Sequence, residues 1–362
     1  MENNHKQNLN IVPNKRVKKR YIFLILFMVL LITVTFIVLL KDYDLEELVE
    51  YIKNADKKYL LMAMAMPIIF LSLQSLSTQS IQRRLDCKNG FYNNLNYAAV
   101  DFYFCSITPC ATGGQPLAIY YMSKDDIPIS KSTIITLLNT ATYKLVLIFL
   151  GIITLIFSRN LIFGSKIILP ILFFVGLVIN SGLCFLCFSG IYAHDIIFKL
   201  GCKIINLLHR FKIVKDLEGT KANFEFKIKE YAKGGEFIKK NPLVFIEVFG
   251  YNLIQRVAFF SVAYFIYRAF GYDEYSFITL LSVQVIISIA VDSLPIPGGI
   301  GMSEGLLLVI YNKIYELSFI MPAMILTRFF GFYLCLLISG ILIIINQIRL
   351  IICRRIIKKE TV

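Results

Sequence analysis

The sequence predicts an all-α polytopic membrane protein, because three features of its 362 residues agree. Apolar residues make up 57% of the chain and charged residues only 17%, which is typical of membrane proteins and excludes a soluble or disordered chain. Several apolar stretches are long enough to cross a bilayer as helices. Two stretches rich in proline and glycine, 108–116 and 294–304, interrupt hydrophobic sequence. In lipid, such irregular backbone persists only where protein or a wet cavity surrounds it.

Six stretches have the length and composition of full membrane spans. We predict them at 21–40, 59–80, 133–157, 167–189, 242–267 and 320–345. The first stretch follows the basic run Lys15–Arg20 and has no small-residue cleavage signal after it. We therefore interpret it as a signal anchor with a cytoplasmic N-terminus.

Two further segments, 91–122 and 275–312, each contain one of the breaks. If each segment crossed the membrane once, the basic loop 191–241 would lie outside, against the positive-inside rule. We therefore expect each segment to enter and leave on the same side, giving six full spans plus two opposed re-entrant helical hairpins. Two short full spans per segment would also return the chain to the side from which it entered. Either arrangement places both termini in the cytoplasm of a bacterial cell, with the chain in the cytoplasmic (inner) membrane.

The chain divides into two membrane halves, and the spacing of intramembrane cations relates them. Lys144 lies thirty residues after Gly114, and Arg328 lies twenty-nine after Gly299, which predicts an inverted repeat. The predicted organisation is a basic N-terminus (1–20), half one (21–190), an amphipathic interfacial helix with a basic linker (191–241), half two (242–345) and a basic tail (346–362).

The net charge of +14 does not indicate nucleic-acid binding, since the cations cluster at the ends of apolar segments. We expect membrane phospholipids as partners and no nucleic acid. A separate lipid-modifying enzyme is a further partner to consider. The sequence contains no P-loop, no catalytic triad order and no metal-ligand cluster, so it predicts no catalytic residue, no metal and no cofactor.

The two breaks are the first candidates for a binding site. A half-helix that begins after such a break directs backbone N–H groups and the positive end of its dipole inward, which suits a phosphate or carboxylate. The alternative is that the glycines only let helices pack closely. The substrate-binding candidates here are Thr112, Gly113, Gly114, Gln115, Pro297, Gly298, Gly299 and Gly301.

Charged residues inside the spans are the second candidates. Each costs roughly 2.5–3.5 kcal/mol on insertion scales unless it is paired or faces water. We therefore expect Lys144, Arg256, Arg328 and Glu304 to converge inside the bundle and bind substrate. Asp292 and Glu304, which flank the second break, could carry protons for coupling. The alternative for each residue is an internal ion pair that only orients helices.

Two motifs resemble one known family. Pro295-Ile-Pro-Gly-Gly-Ile-Gly-Met-Ser-Glu304, followed by Thr327-Arg328, resembles the hallmark of the lysylphosphatidylglycerol synthase transmembrane-region family. Thr108-Pro-Cys-Ala-Thr-Gly-Gly-Gln-Pro116 with Tyr120 resembles its first-half signature. The family includes the flippase half of multiple peptide resistance factor. The resemblance implies a domain with two opposed re-entrant helices that moves lysyl-phosphatidylglycerol or a related lipid between leaflets.

Three functions follow from this resemblance. The first is a flippase-like translocator of an anionic or aminoacylated phospholipid, which modulates envelope charge and resistance to cationic peptides. The second is phosphatidylglycerol lysyltransferase activity, as the family name implies. The third is an accessory membrane subunit of a lipid-modifying enzyme. We favour the first, because only 17 residues (346–362) follow the last predicted span, far fewer than a synthase domain needs.

Overall fold

The computed structural model describes residues 45–360 apart from 88, 165–167, 293 and most of 193–238, together with three isolated residues further upstream. Nearly all of the predicted first span (21–40), the basic N-terminus (1–20) and most of the predicted interfacial helix and linker lie outside the described residues. Every regular element among the described residues is helical.

The structure contains α-helices of widely different length. In chain order they are α1 (Leu45–Asn54), α2 (Lys57–Arg84), α3 (Phe91–Ile107), α4 (Gly114–Lys124), α5 (Ile129–Phe157), α6 (Arg159–Phe163), α7 (Ile168–Tyr192), α8 (Pro242–Phe260), α9 (Val262–Ala269), α10 (Phe277–Val291), α11 (Met302–Tyr311), α12 (Leu317–Arg328) and α13 (Leu334–Glu360).

Five of these helical segments are long and apolar enough to cross a membrane. They are Lys57–Arg84, Ile129–Phe157, Ile168–Phe185, Pro242–Ala269 and Leu317–Arg349. Each one overlaps a span predicted from the sequence. The prediction of an all-helical, multi-pass membrane protein is therefore confirmed for the part of the chain that the structure describes. The last helix runs on through residue 360, so the predicted tail begins as a continuation of the span.

Local chemistry fixes where several helices begin. Before α2, the Asp56 carboxylate accepts a hydrogen bond from the backbone N–H of Lys58 at 2.8 Å. Before α10, the Ser276 hydroxyl accepts one from the backbone N–H of Thr279 at 3.3 Å. Such N-cap oxygens satisfy amides that have no partner inside the helix. Helix α8 starts with Pro242, whose missing N–H costs nothing in the first turn.

Each break folds as a helical hairpin around a short 3₁₀ turn. The first hairpin consists of α3, the turn Pro109–Ala111 and α4, and the second consists of α10, the turn Pro297–Gly299 and α11. The second and third residues of both turns have left-handed backbone, with φ of 53° and 53° in the first turn and 59° and 62° in the second. The two breaks therefore follow the same local path. Only the second has glycine at the left-handed positions, so the first carries conformational strain.

The two turns lie against each other, and the hairpins pack reciprocally. Ile107, Ile300, Phe332 and Leu336 form a small apolar cluster beside the contact. Helix α3 of the first hairpin packs on α13, and α10 of the second hairpin packs on α5. Each hairpin thus packs against the long helical segment that follows the other hairpin, and these contacts connect the two halves.

A buried polar seam joins α2, α5 and α8. The Ser77 hydroxyl donates to Asn139 Oδ1 at 2.6 Å, and Asn139 Nδ2 donates to Thr78 Oγ1 at 3.2 Å. Asn252 Nδ2 donates to Thr142 Oγ1 at 3.1 Å. Interhelical hydrogen bonds of this kind contribute about 0.6 kcal/mol each on average. Their larger effect is to fix how each helix is rotated, and hence which side chains face inward.

The backbone of α7 approaches α10 closely at Gly176. A Cβ atom built at this position would lie 2.0 Å from the Ile289 carbonyl oxygen. Only glycine therefore permits this separation, as is common where membrane helices pack through small residues.

Candidate functional site

Glu304 is the centre of a buried network just after the second break. Its side chain is 0% exposed. One carboxylate oxygen accepts from the Gly301 backbone N–H at 2.7 Å, and the other accepts from Arg328 Nε at 2.7 Å and the Tyr333 hydroxyl at 3.0 Å. The carboxylate thus stabilises the N-terminus of α11 and neutralises a buried cation at the same time.

Arg328 also contacts the turn Pro297–Gly299. Its Nη2 donates to the Gly298 carbonyl at 3.3 Å, and its guanidinium lies 4.5 Å from the centre of the Phe332 ring. A planar guanidinium can make both the charged hydrogen bonds and the ring contact, which an ammonium would do less well.

A π-helical turn at Phe329–Tyr333 explains how two side chains reach one carboxylate. Within it, the backbone N–H of Leu334 bonds to the carbonyl five residues earlier. In a regular α-helix, residues five apart point about 140° away from each other at 100° per residue. The wider turn brings Arg328 and Tyr333 onto the same face, so both contact Glu304.

These contacts locate six of the candidates, all around the second break. Pro297, Gly298 and Gly299 form the turn, and Gly301 gives its amide to Glu304. The positive end of α11 is therefore already occupied by a carboxylate of the protein. Arg328 and Glu304 form the internal ion pair that the sequence left open as an alternative, and their roles toward a substrate stay predictions.

A second ion pair links α5 to the second hairpin. Lys144 pairs with Asp292, which directly follows α10, and its Nζ also donates to Asn180 Oδ1 at 2.8 Å. The other Asp292 oxygen accepts from the Tyr143 hydroxyl at 3.2 Å. The expected convergence of charges therefore occurs as two separate pairs, Lys144–Asp292 and Arg328–Glu304.

The glycines of the first break allow close packing and do not form the turn. The Gly113 N–H donates to Thr108 Oγ1 at 2.9 Å. A Cβ at Gly114 would lie 2.4 Å from Cys105 Sγ and 2.5 Å from the Asp101 carbonyl oxygen, so glycine lets α4 pack on α3. Thr112 is exposed, and its hydroxyl donates to a carbonyl of its own turn.

A polar cavity of about 60 Å³ lies beside the first hairpin. Its walls come from α2, α3, α4, α5 and α8, and most of the lining side chains are polar. The lining residues are Gln74, Thr78, Tyr97, Ala98, Asp101, Gln115, Ala118, Met122, Thr136, Asn139, Thr140, Tyr143, Asn252 and Arg256. Of the candidates predicted from the sequence, Gln115 and Arg256 line it, and Gln115 Nε2 donates to Thr140 Oγ1 at 2.7 Å.

Arg256 is the unsatisfied group of this cavity. Its guanidinium lies 4.0 Å from the centre of the Tyr143 ring and 5.1 Å from that of Phe70. Its Nε atom is buried and has no hydrogen-bond partner among the described residues. Asp101 lines the same cavity, yet no ion pair within 4 Å joins it to Arg256. A buried charged donor without a partner costs more than the roughly 1–3 kcal/mol of a neutral one. The arrangement therefore favours an anion or water at Arg256.

Gln74, Thr78 and Asn252 belong to the cavity, although they were not singled out from the sequence. A signal for them existed in the spacing of polar residues inside apolar spans. Gln74 and Thr78 are four residues apart, as are Asn252 and Arg256, which puts each pair on one helix face. Polar residues inside membrane helices face the bundle interior, so this spacing indicates a shared polar surface.

Comparisons with known proteins agree with this architecture. A model of the family described as "Lysylphosphatidylglycerol synthase TM region" matches residues 23–339. A UPF0104 membrane protein from Archaeoglobus fulgidus is 24% identical over 268 residues, which is 72% of this chain and 78% of the relative. The family match covers the five membrane-length helices almost entirely, both hairpins and the polar cavity. The chain belongs to the lysylphosphatidylglycerol synthase TM region family.

Proposed function

We propose that this protein translocates an anionic phospholipid and holds the phosphate of the head group at Arg256. The observation that carries the proposal is Arg256, which lines the polar cavity and whose buried Nε has no partner among the described residues. A guanidinium fork matches phosphate geometry, and the amide and hydroxyl groups around it can take the remaining oxygens. Asp101 would accept the ammonium of an aminoacylated head group such as that of lysyl-phosphatidylglycerol. Moving such lipids would modulate envelope charge and resistance to cationic peptides.

The proposal includes six full spans and two opposed re-entrant hairpins. The hairpin arms have 17, 11, 15 and 10 residues. At 1.5 Å per residue they extend roughly 15–26 Å, less than the ~30 Å hydrocarbon core. The contact between the two turns and the reciprocal packing of the hairpins support entry from opposite sides. The basic loop and tail support cytoplasmic termini in a bacterial inner membrane.

The size of the cavity sets a condition on transport. A volume of about 60 Å³ holds only a few waters, at roughly 10–15 Å³ of probe volume each. A phospholipid head group is larger, so the first hairpin must move away from α2, α5 or α8 to admit it. The lipid tails would remain in the bilayer while the head group passes along the polar surface.

A translocation assay with purified protein in vesicles tests this function. Fluorescent phosphatidylglycerol in the outer leaflet is quenched by an added membrane-impermeant reductant, which reports exchange between leaflets. We expect Arg256→Gln to slow exchange by about ten- to a hundredfold, the equivalent of losing one charge-assisted hydrogen bond.

Arg268→Gln is the matched control. Arg268 lies in the same membrane-length helical segment and its guanidinium is 5.7 Å from the Tyr59 ring centre, but it does not line the cavity. Its replacement should leave the rate within about twofold, as for a surface change. Equal exchange by the wild type and Arg256→Gln would overturn the proposed site. Exchange no faster than in protein-free vesicles would overturn the function.

A further inference from the structure

We infer that Tyr143 is a positioning residue that couples the head-group site at Arg256 to the second hairpin. The inference deepens the proposed function and rests on it for the identity of the ligand. The coupling itself is built from contacts between described residues, and its test needs no ligand.

Tyr143 touches both partners with different parts of its side chain. The face of its ring lies against the Arg256 guanidinium, 4.0 Å from centre to carbon. Its hydroxyl donates to Asp292 Oδ1 at 3.2 Å. Tyr143 lies on α5 in the first half, Arg256 on α8 in the second, and Asp292 directly after α10 of the second hairpin. One side chain therefore joins three elements.

The electronic structure of the phenol gives this geometry a mechanism. A cation over the ring attracts its π electrons and makes the hydroxyl proton more positive, so the hydroxyl donates a stronger hydrogen bond to Asp292. A phosphate that binds Arg256 neutralises the cation and weakens both the ring contact and the hydrogen bond. Asp292 is then held mainly by Lys144. Occupancy of the cavity would thus loosen the attachment of the second hairpin to α5.

Neither half of the side chain suffices for this role. Phenylalanine would keep the ring against Arg256 and lose the hydroxyl, while a short polar residue could hold Asp292 and would lose the ring. A tyrosine that only fills space would need neither contact. The combination therefore points to coupling between the cavity and the second hairpin.

Cys110 provides a native reporter for the test. It is exposed in the first turn, which lies against the second turn, so its alkylation rate reports how the turns fit together. The rate of maleimide addition to Cys110 in the purified chain can be followed by peptide mass spectrometry. A double-mutant cycle compares this rate in the wild type, Arg256→Met, Tyr143→Phe and the double variant, all without added lipid.

We expect Arg256→Met to change the Cys110 rate by about threefold or more, which is within the range of coupling between residues in contact. In the Tyr143→Phe background, the same change should have almost no further effect, because the connection is already broken. Multiplicative effects of the two substitutions, or no effect of Arg256→Met, would overturn the coupling. Tyr92→Phe is the control, since the Arg349 guanidinium lies 5.5 Å from the Tyr92 ring centre and neither residue lines the cavity.

The translocation assay separates coupling from binding. With phosphatidylglycerol varied in phosphatidylcholine vesicles, Tyr143→Phe should lower the maximal exchange rate while the half-saturating lipid fraction stays unchanged, because Arg256 is intact. A change in the half-saturating fraction alone would make Tyr143 part of the binding site and would contradict the inference. If no variant and no wild-type sample exchanges lipid, the proposed function fails, and the lipid-free cycle still decides the coupling.

Discussion

The Glu304 carboxylate gives the sharpest test of the second break. Glu304→Gln changes one atom type inside a network in which three donors converge on two oxygens: the Gly301 amide, Arg328 Nε and the Tyr333 hydroxyl. Glutamine offers one acceptor oxygen and places an NH₂ group where a second acceptor is required. At least one buried donor then loses its partner, and the Arg328 charge, only 12% exposed, loses its counterion.

The expected cost is about 3–5 kcal/mol, the usual penalty for leaving one member of a buried ion pair alone. Resistance to unfolding, followed by thermal or denaturant titration in detergent micelles, measures it. Glu274→Gln is the control, because Glu274 is exposed and should change stability by less than about 0.5 kcal/mol.

A double variant sharpens the comparison. Glu304→Leu combined with Arg328→Met removes both charges, so it should be less damaging than Glu304→Leu alone, which leaves the Arg328 charge without a counterion. A loss below about 1 kcal/mol for Glu304→Gln would refute the claim that the carboxylate holds the network together. So would a double variant whose cost equals the sum of its single changes, since residues in one network do not add.

Three further predictions concern packing, strain and the other ion pair. Gly176→Ala should lower stability by about 1–3 kcal/mol, because the added methyl group would clash with α10. Gly182→Ala on the same helix meets nothing within 4 Å and should be neutral or slightly stabilising. Thermal unfolding compares the two variants, and equal midpoints would contradict the close approach of α7 to α10. Ala111→Gly should raise stability by about 0.5–1 kcal/mol, because it relieves left-handed backbone, and an unchanged or lower midpoint would argue against strain in the first turn. Asp292→Asn should cost up to about 3 kcal/mol by isolating the Lys144 charge, and Lys144→Met in the same chain should recover part of that loss in the same assay.

The spans and the positions of both breaks could be predicted from the sequence, because each depends on local composition. Apolar stretches of about 20 residues must be helices in lipid, and proline with glycine must interrupt them. All five membrane-length segments that the structure describes overlap predicted spans. The side-chain partners could not be predicted, since they depend on how helices distant in sequence are rotated against each other. Arg328 and Glu304 are 24 residues apart, and Lys144 and Asp292 are 148 apart.

The repeat register shows the limit of spacing arguments. Spacing in the sequence matched Gly114 with Gly299, whereas the left-handed residues of the two turns correspond when Pro109 is matched with Pro297. In that register, Lys144 follows the turn by 35 residues and Arg328 by 31, so the two cations are not equivalent positions. The likeness that the structure shows is confined to the backbone of the two turns.

The wide turn at Phe329–Tyr333 acts as a phase adjustment in the last membrane helix. One surplus residue there advances everything downstream by about 100° relative to an uninterrupted helix. Deleting a single residue from this stretch would add no charge. It would nevertheless rotate Tyr333 and the face of α13 that packs on the first hairpin toward new neighbours. The extra residue thus determines which face of α13 meets the first hairpin.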